Sequence, residues 1–139
     1  VYGPRMGYEH VIPELYLRAK EGQDPLVVYS ADHSRAFCYV QDAVELMVQL
    51  MRAPASNGQT FNVGNDTEEV TIQQLAERIL RIMGLERQIV PRPAPHDPIR
   101  RRCPDMSKAR SLLGYAPKVN LDTGLSLTIA WYERHPRPS

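Results

Sequence analysis

The sequence predicts an α/β or α+β domain with small sheets. Helix-type and strand-type apolar patterns follow one another along the chain, in the order helix, two strands, helix, strand, helix, strand and two helices. Prolines and glycines separate most of these segments. Apolar residues form 42% of the 139 residues and charged residues 24%, a balance that suits one globular domain.

The first third of the chain contains two helix patterns and two strand patterns. Apolar residues recur at helical spacing over about 10–21, and Gly22 is placed to end that helix. The short apolar run 26–29 predicts a strand, and the run 36–40 predicts a second one. Asp42 can cap the helix that follows, because its side chain can accept an amide of the first turn.

The middle of the chain repeats this alternation. The run 60–64 predicts a short strand. Thr71 and Gln74 have the spacing of a capping box, which predicts a helix that begins there and ends at Gly84. The pair 89–90 predicts one more strand.

The last third opens with a proline cluster at 91–98. Proline lacks an amide donor and restricts the residue before it, so this stretch is expected to be an extended surface loop. Asp105 is placed to cap a short helix that ends at Gly114, and Asp122 to open the last helix. The tail, 136–139, is expected to be disordered.

Charge, apolar runs and cysteine content exclude several classes of protein. Lys plus Arg number 17 against 16 Asp plus Glu, which argues against a dedicated nucleic-acid-binding domain. No apolar run approaches the ~18 residues of a membrane helix. Two cysteines are too few for a disulfide scaffold and fit a reducing compartment, so we expect a cytoplasmic protein. The chain opens on Val1 without a signal segment, and we expect it to be part of a longer polypeptide.

Three consecutive arginines, 100–102, form the densest positive charge in the sequence. Guanidinium groups remain charged and form paired hydrogen bonds with phosphate oxygens, so the run is a candidate anion site. A solvated basic loop, or ion pairs with nearby acids, explains the run equally well. A nucleic-acid patch is weakly supported, because no aromatic residues are interleaved with the arginines.

Arg35 and Asn62 are two further candidates. Arg35 stands at the edge of an apolar strand pattern, from which its side chain can project. Asn62 interrupts an apolar run, where a polar side chain needs a ligand or a hydrogen bond within the protein. The internal hydrogen bond is the favoured interpretation, because most buried polar groups are satisfied that way.

The sequence also contains two patterns without the context that would make them functional. Tyr16 and Lys20 match the Tyr-x-x-x-Lys pair of short-chain dehydrogenases, but no G-x-G-x-x-G turn is present to hold a dinucleotide. We interpret the pair as an ordinary helix turn. The histidines and cysteines show no metal-ligand spacing, so no metal site is expected.

Taken together, four segments resemble one family. The chain is similar to the C-terminal part of an NAD-dependent sugar-nucleotide epimerase/dehydratase, an extended short-chain dehydrogenase. Residues 1–5 match the last five positions of the family pattern N-V-Y-G-P-R. The other matching patterns are R-x-F-x-Y-V-x-D at 35–42, Y-N-I-G at 61–64, and D-P-x-x-R-x-P-D-x-x-K-A-x-x-x-L-G-W-x-P at 97–117. The last pattern leans toward UDP-glucuronate decarboxylases and related dehydratases.

The resemblance implies an α/β fold: the C-terminal lobe of an extended short-chain dehydrogenase, with small sheets, about five helices, and the Rossmann core missing. It implies a substrate-binding lobe at 1–135. NAD and the catalytic residues would belong to the missing Rossmann lobe, so we expect this stretch alone to bind no NAD and to show no turnover.

The resemblance also implies a binding role for particular residues. Arg35 would contact the diphosphate of the sugar nucleotide, and Asn62 would lie in the nucleotide pocket. Tyr29 would line the base or ribose side. Arg102 would reach the sugar nucleotide, although the arginine loop is one residue longer than the family form, which leaves Arg101 as an alternative.

Arg92 or His96 would lie where members of the dehydratase branch of the family contact phosphate. The implied ligand is a UDP-, dTDP- or similar sugar nucleotide, the implied enzyme an epimerase, dehydratase or decarboxylase, and the full-length protein a homodimer. The alternative function is a non-catalytic module for nucleotide-sugar binding or oligomerisation. A nucleic-acid partner is not expected, because the charge is balanced.

Overall fold

The computed structural model describes residues 1–93 and 99–136. Within them the chain forms five α-helices, five short strands and one 3₁₀ turn at Pro54–Ser56. In chain order these are α1 (Val11–Lys20), β1 (Leu26–Tyr29), β2 (Ser34–Ala36), α2 (Val40–Arg52), β3 (Glu69–Thr71), α3 (Ile72–Met83), β4 (Ile89–Arg92), β5 (Arg101–Arg102), α4 (Ser107–Leu113) and α5 (Leu121–Arg134). None of the helices in the described part is long and apolar enough to cross a bilayer.

The strands form two small sheets. β1 and β4 pair in parallel, from Leu26 opposite Ile89 to Tyr29 opposite Arg92. In the second sheet β2 is central, antiparallel to β3 and parallel to β5. The mixture of helices and small sheets is the α/β architecture that the sequence predicts.

The main core lies between α1, α3, α5 and β1. Their buried apolar side chains form one cluster because each helix turns one face inward, as shown by Ile12, Leu15, Leu75, Ile79 and Leu125. Tyr2 joins this core from the start of the chain: its amide donates to Cys38 O at 2.9 Å, and its carbonyl accepts from Val40 N at 2.8 Å. Gly124 lets α5 approach the Tyr2 ring closely, because a Cβ at this position would collide with the phenol.

A second, smaller core lies between α2 and α4. It contains Leu46, Met106, Ala109 and Tyr115, and Phe61 packs against it with other partly buried side chains. Because Met106 and Ala109 follow β5 closely in the chain, this core anchors the C-terminal side of the strand that carries the arginines.

Several predicted elements are confirmed. The first helix, the strand at 26–29 and the helix after Thr71 lie where the patterns indicate. Thr71 and Gln74 form the complete capping box, with Gln74 N donating to Thr71 Oγ1 at 3.1 Å. Gly84 adopts the left-handed conformation at the end of α3, where glycine has no steric penalty.

Two strand predictions are wrong in position. The strand predicted at 36–40 is Ser34–Ala36, and α2 already begins at Val40. The segment 60–64 is not a strand, although Phe61 and Val63 do pack inward against the second core. That stretch has the alternation of a strand but pairs with none of the strands within 1–93 and 99–136, and β3 forms instead at Glu69–Thr71.

Two aspartates that were predicted to cap helices have other roles. α2 begins two residues before Asp42, whose carboxylate is buried and accepts the amides of Lys118 and Val119 at 3.0 and 3.1 Å. Asn120 caps α5 by accepting Thr123 N. Asp122 instead forms ion pairs with arginines of α3.

The predicted cap of α4, Asp105, lies one residue before the observed N-cap, Met106. Asp105 Oδ1 accepts Ser107 N at 2.8 Å, although Met106 lies between Asp105 and the helix. Gly114 ends α4 in the left-handed conformation. In the arginine run, predicted as loop, Arg101–Arg102 form strand β5. Part of the proline cluster, 94–98, and most of the tail, 137–139, lie outside the described residues.

Candidate functional site

A cavity of about 540 Å³ opens between the start of the chain and the two sheets. Its walls come from the first residues, the beginning of α1, the end of β1, and the paired strands β2 and β5. The lining combines aromatic and aliphatic side chains with cations: Val1, Tyr2, Met6, His10, Val11, Tyr29, Ser30, Arg35, Ala36, Phe37, Ile72 and Arg102. A site with a largely apolar lining and a few polar groups that fix orientation is typical of small-molecule binding.

Arg35 and Arg102 are neighbours in one wall of this cavity. The parallel pairing of β2 with β5 places them directly opposite each other. Neighbouring strands lie about 4.8 Å apart, and opposed residues project from the same face of a sheet. Two permanently charged guanidinium groups on one wall favour a ligand with more than one negative charge.

The Arg35 guanidinium is held by two backbone carbonyls at the start of the paired strands β2 and β5. Its Nη1 donates to Ser34 O at 2.8 Å and to Arg100 O at 3.3 Å. Ser34 N also donates to Arg100 O, at 2.8 Å, so one carbonyl fixes both the strand register and the arginine. The Arg100 side chain itself lies apart from the cavity lining, 3.7 Å from Asp32 in an exposed ion pair.

Arg101 faces the other side of the same sheet. Its Nε donates to Glu69 Oε1 at 2.9 Å and its Nη2 to Glu69 Oε2 at 2.8 Å, a paired contact with the carboxylate. Ser34 Oγ donates to the same carboxylate. Because successive strand residues alternate between faces, Arg101 serves the sheet and Arg102 the cavity. The geometry therefore favours Arg102 over Arg101 as the ligand-facing arginine.

Glu69 gives this contact a measurable pH dependence. The Arg101 guanidinium, and secondarily the Ser34 hydroxyl, hold the pKa of the Glu69 carboxyl below its ordinary value. A lowered folded-state pKa stabilises the fold above the unfolded-state value, about 4.3, and this stabilisation is lost as the pH falls through the folded-state pKa. We expect the melting temperature of Glu69→Gln to fall below that of the wild type at pH 7, and the gap to close toward pH 3.

Melting curves between pH 3 and pH 7 test this expectation, and Arg101→Ala is the matched variant because it removes the other partner. Both single variants and the double variant should show the same loss at pH 7. A gap that stays constant across the pH range would contradict the assignment.

Tyr29 and Arg92, paired across β1 and β4, belong to different cavities. Tyr29 lines the cavity of Arg35, and the Arg18 guanidinium lies 5.9 Å from the centre of its ring. Arg92 lines a neighbouring cavity of about 510 Å³ with Asp32 and residues of β3 and α3. The structure therefore does not bring Arg92 to the side chains of Arg35 and Arg102.

Asn62 and His96 complete the set of sequence candidates. Asn62 is exposed, lies outside the lining of the cavity and donates through Nδ2 to Asp105 O at 2.9 Å. This internal hydrogen bond is the interpretation that the residues alone favour. His96 lies outside the described residues.

His10 and Phe37 line the cavity but were not singled out from the sequence. Phe37 lies within the R-x-F-x-Y-V-x-D pattern, and that pattern was the available signal for it. His10 lies directly before α1 and belongs to none of the motifs described above, so no local sequence pattern indicated that it would line a cavity.

The Tyr16 and Lys20 pair does not contribute to the cavity. Lys20 Nζ donates to Tyr16 OH at 3.0 Å, but Tyr16 is buried in the main core, and neither residue lines the site. No group of three or more His, Cys, Asp or Glu side chains within 1–93 and 99–136 is placed to hold a metal ion.

Comparison with known proteins identifies what this arrangement is similar to. Residues 1–64 match the NAD dependent epimerase/dehydratase family. The UDP-N-acetyl-alpha-D-glucosaminuronate decarboxylase of Bacillus cytotoxicus is 34% identical over 141 residues, which covers 95% of this chain and 43% of the relative. The chain therefore spans less than half the length of this relative.

Solved structures agree with the sequence comparison. UDP-glucose 4-epimerase from Thermotoga maritima, solved with UDP-glucose, is 27% identical, with a TM-score of 0.84 over 98% of this chain and 44% of its own. dTDP-glucose 4,6-dehydratase from Bacillus anthracis, solved with NAD, is 27% identical, with a TM-score of 0.82 over 96% of this chain and 42% of its own. The predicted fold, the C-terminal lobe of an extended short-chain dehydrogenase, is confirmed. By sequence and by fold, the chain is similar to about two fifths of the length of NAD-dependent sugar-nucleotide epimerases and dehydratases.

Proposed function

We propose that the chain is the substrate-binding lobe, residues 1–135, of an NAD-dependent enzyme that acts on a UDP-sugar. One observation carries the proposal: Arg35 and Arg102 stand side by side in the wall of a cavity. The similar proteins are named as enzymes that convert sugar nucleotides, and one of them was solved with UDP-glucose. The decarboxylase is the more similar at 34% identity, against 27% for the epimerase and the dehydratase, and this supports a decarboxylation of a UDP-uronate.

The cavity offers a physical basis for holding a nucleoside diphosphate. A diphosphate carries two or more negative charges, and charge-assisted hydrogen bonds from guanidinium groups are about twice as strong as neutral ones. Arg35 is already oriented by two backbone carbonyls, so less conformational freedom is lost when it binds. Phe37, Ile72 and Tyr29 supply apolar surface for the base and the sugar.

We assign the catalytic residues and the NAD site to the part of the enzyme that this chain does not span. NAD supplies the hydride acceptor in this class of chemistry when it is bound. The residues of this chain bind the diphosphate, orient the sugar and exclude water from one side of it. The homodimer and the cytoplasmic location remain predictions from the sequence.

Isothermal titration calorimetry of the 139-residue chain tests the proposal. UDP-glucuronate and UDP should both bind, and uridine should bind at least about tenfold more weakly, because it lacks the charged hydrogen bonds. NAD should show no binding. Equal affinities for uridine and UDP, or tighter binding of NAD than of UDP, would contradict the proposal.

A further inference from the structure

The turn that follows the 3₁₀ segment Pro54–Ser56 contains an asparagine directly before a glycine. Asn57 and Gly58 are both exposed. Gln59 N donates to Ser56 O at 3.0 Å, which closes a four-residue turn with Asn57 and Gly58 at its two central positions. Asn57 has φ −60° and ψ 128°, and Gly58 has φ 68°, so the turn is of type II.

The central amide of this turn is free to react. In a type II turn the peptide plane between the two central residues stands across the turn, so its N–H takes no part in the closing hydrogen bond. Within residues 1–93 and 99–136, neither Gly58 N–H nor the Asn57 side chain has a hydrogen-bond partner. A Cβ placed on Gly58 would meet no atom within 4 Å, so the space beside this amide is open.

A change of turn type brings the Gly58 nitrogen toward the Asn57 side chain. Types II and I differ by a flip of the central peptide, which moves ψ of the first central residue from about +120° to about −30° and φ of the second from about +80° to about −90°. Only with ψ on the negative side does Gly58 N swing toward Asn57 Cγ. Because glycine adopts φ of either sign, the flip carries no steric penalty at Gly58.

We propose that Asn57 is a site of spontaneous modification, namely deamidation through a cyclic imide formed with Gly58. The Gly58 amide gives its proton to hydroxide and forms a bond to Asn57 Cγ. The Cγ–Nδ2 bond breaks, and the nitrogen takes a proton from water and leaves as ammonia. Water then opens the imide. Cleavage at Cγ gives aspartate, and cleavage at the main-chain carbonyl gives isoaspartate, in which the backbone runs through Cβ.

The other three asparagines of the chain are held in place. Asn62 Nδ2 donates to Asp105 O at 2.9 Å. Asn65 is 3% exposed, and its Oδ1 accepts both the amide and the hydroxyl of Thr67. Asn120 Oδ1 accepts an amide of the first turn of α5. Each is followed by a residue with a side chain, which crowds the amide that would attack, so the fold protects these three and leaves Asn57 open.

The modification lies away from the candidate substrate cavity. Residues 56–59, all within the described part of the chain, are outside the lining of that cavity. Each conversion adds one carboxylate and takes the formal net charge of the 139 residues from +1 to zero. Binding of UDP-glucuronate should therefore be unchanged by deamidation, and failure of this inference and failure of the proposed function are distinguishable.

Peptide mapping by mass spectrometry tests the assignment on the folded 139-residue chain kept in mildly alkaline buffer. Asn57 should lose its amide at least about tenfold faster than any other asparagine, because the exposed turn reacts without unfolding. Methylation by a protein isoaspartate methyltransferase should label the same position. Asn57→Gln is the matched control: it keeps a side-chain amide but needs a larger ring, and it should suppress the acidic species that ion exchange separates.

The same incubation in urea separates the effect of the fold from that of the sequence. Unfolding should speed the loss of the other three amides and change the rate at Asn57 by less than about fivefold, because this turn is open in both states. Two results would overturn the proposal. One is an Asn57 amide in the folded chain that is as stable as the other three, and the other is loss of that amide only once urea has unfolded the chain.

Discussion

Replacing Arg35 or Arg102 with alanine should weaken UDP-glucuronate binding by about 10- to 150-fold. Each arginine is expected to make a charged hydrogen bond to the diphosphate, worth about 1.5–3 kcal/mol. The two side chains share one wall of the cavity, so their losses should not add independently in the double variant. Calorimetric dissociation constants for the wild type, both single variants and the double variant measure the effect.

Arg101→Ala is the matched control for this series. It removes the adjacent guanidinium, which contacts Glu69 on the opposite face of the sheet. Once circular dichroism shows that each variant is folded, Arg101→Ala should bind UDP-glucuronate within about threefold of the wild type, the spread of a typical surface substitution. Equal losses for Arg101→Ala and Arg102→Ala, or none for Arg35→Ala and Arg102→Ala, would contradict the proposed site.

Asp42→Ala should lower the free energy of unfolding by about 2–4 kcal/mol. The carboxylate is buried at the start of α2 and accepts the amides of Lys118 and Val119, which lead into α5. Alanine leaves both amides without their acceptor, and a donor left unsatisfied costs about 1–3 kcal/mol. Urea denaturation followed by circular dichroism measures the change.

Two further variants define the origin of that loss. Asp42→Asn keeps one acceptor oxygen and should recover part of the stability. Asp122→Ala deletes a carboxylate that is paired with Arg78 and Arg81 at the surface, where ion pairs contribute about 0–1 kcal/mol. Asp42→Ala that costs no more than Asp122→Ala would show that the contact to residues 118 and 119 is not a stabilising link.

The elements that could be predicted from sequence are those whose signals are local. The capping box of α3 needs only Thr71 and Gln74, three residues apart, and Gly84 ends that helix within the same stretch. Asp42 shows the limit of such signals. A helix cap and a buried acceptor for a distant segment both place an aspartate near a helix start, and the partner lies 76 residues away at Lys118.

The strands show the same limit. β5 is only two residues long, and its pairing with β2 depends on contacts across more than sixty residues. The alternation at 60–64 is present, but none of the strands in the described part of the chain pairs with it, so local pattern alone led to the wrong element. Short strands depend on their neighbours for pairing, and the sequence of one segment does not specify its neighbour.

The candidate site followed a similar division. The types of residue were available from the sequence, and the resemblance proposed Arg35, Arg102 and Tyr29 together; all three line one cavity. Asn62 and Arg92 were proposed on the same basis but lie outside that cavity. Which side of a sheet or loop a side chain occupies depends on tertiary pairing, which the resemblance did not specify.

The pairing of β5 with β2 makes the number of residues before Arg101 a determinant of ligand recognition. Adjacent residues in a strand face opposite sides of the sheet. Deleting one residue before Arg101, with the hydrogen bonds between β2 and β5 kept at the same positions, would therefore place Arg102 on the Glu69 face and remove it from the cavity. The former partner of Glu69 would then meet the substrate. Relatives whose loops differ by one residue at this point should therefore be aligned by the side of the sheet that each strand residue faces. A plain residue count would match side chains that point to opposite sides.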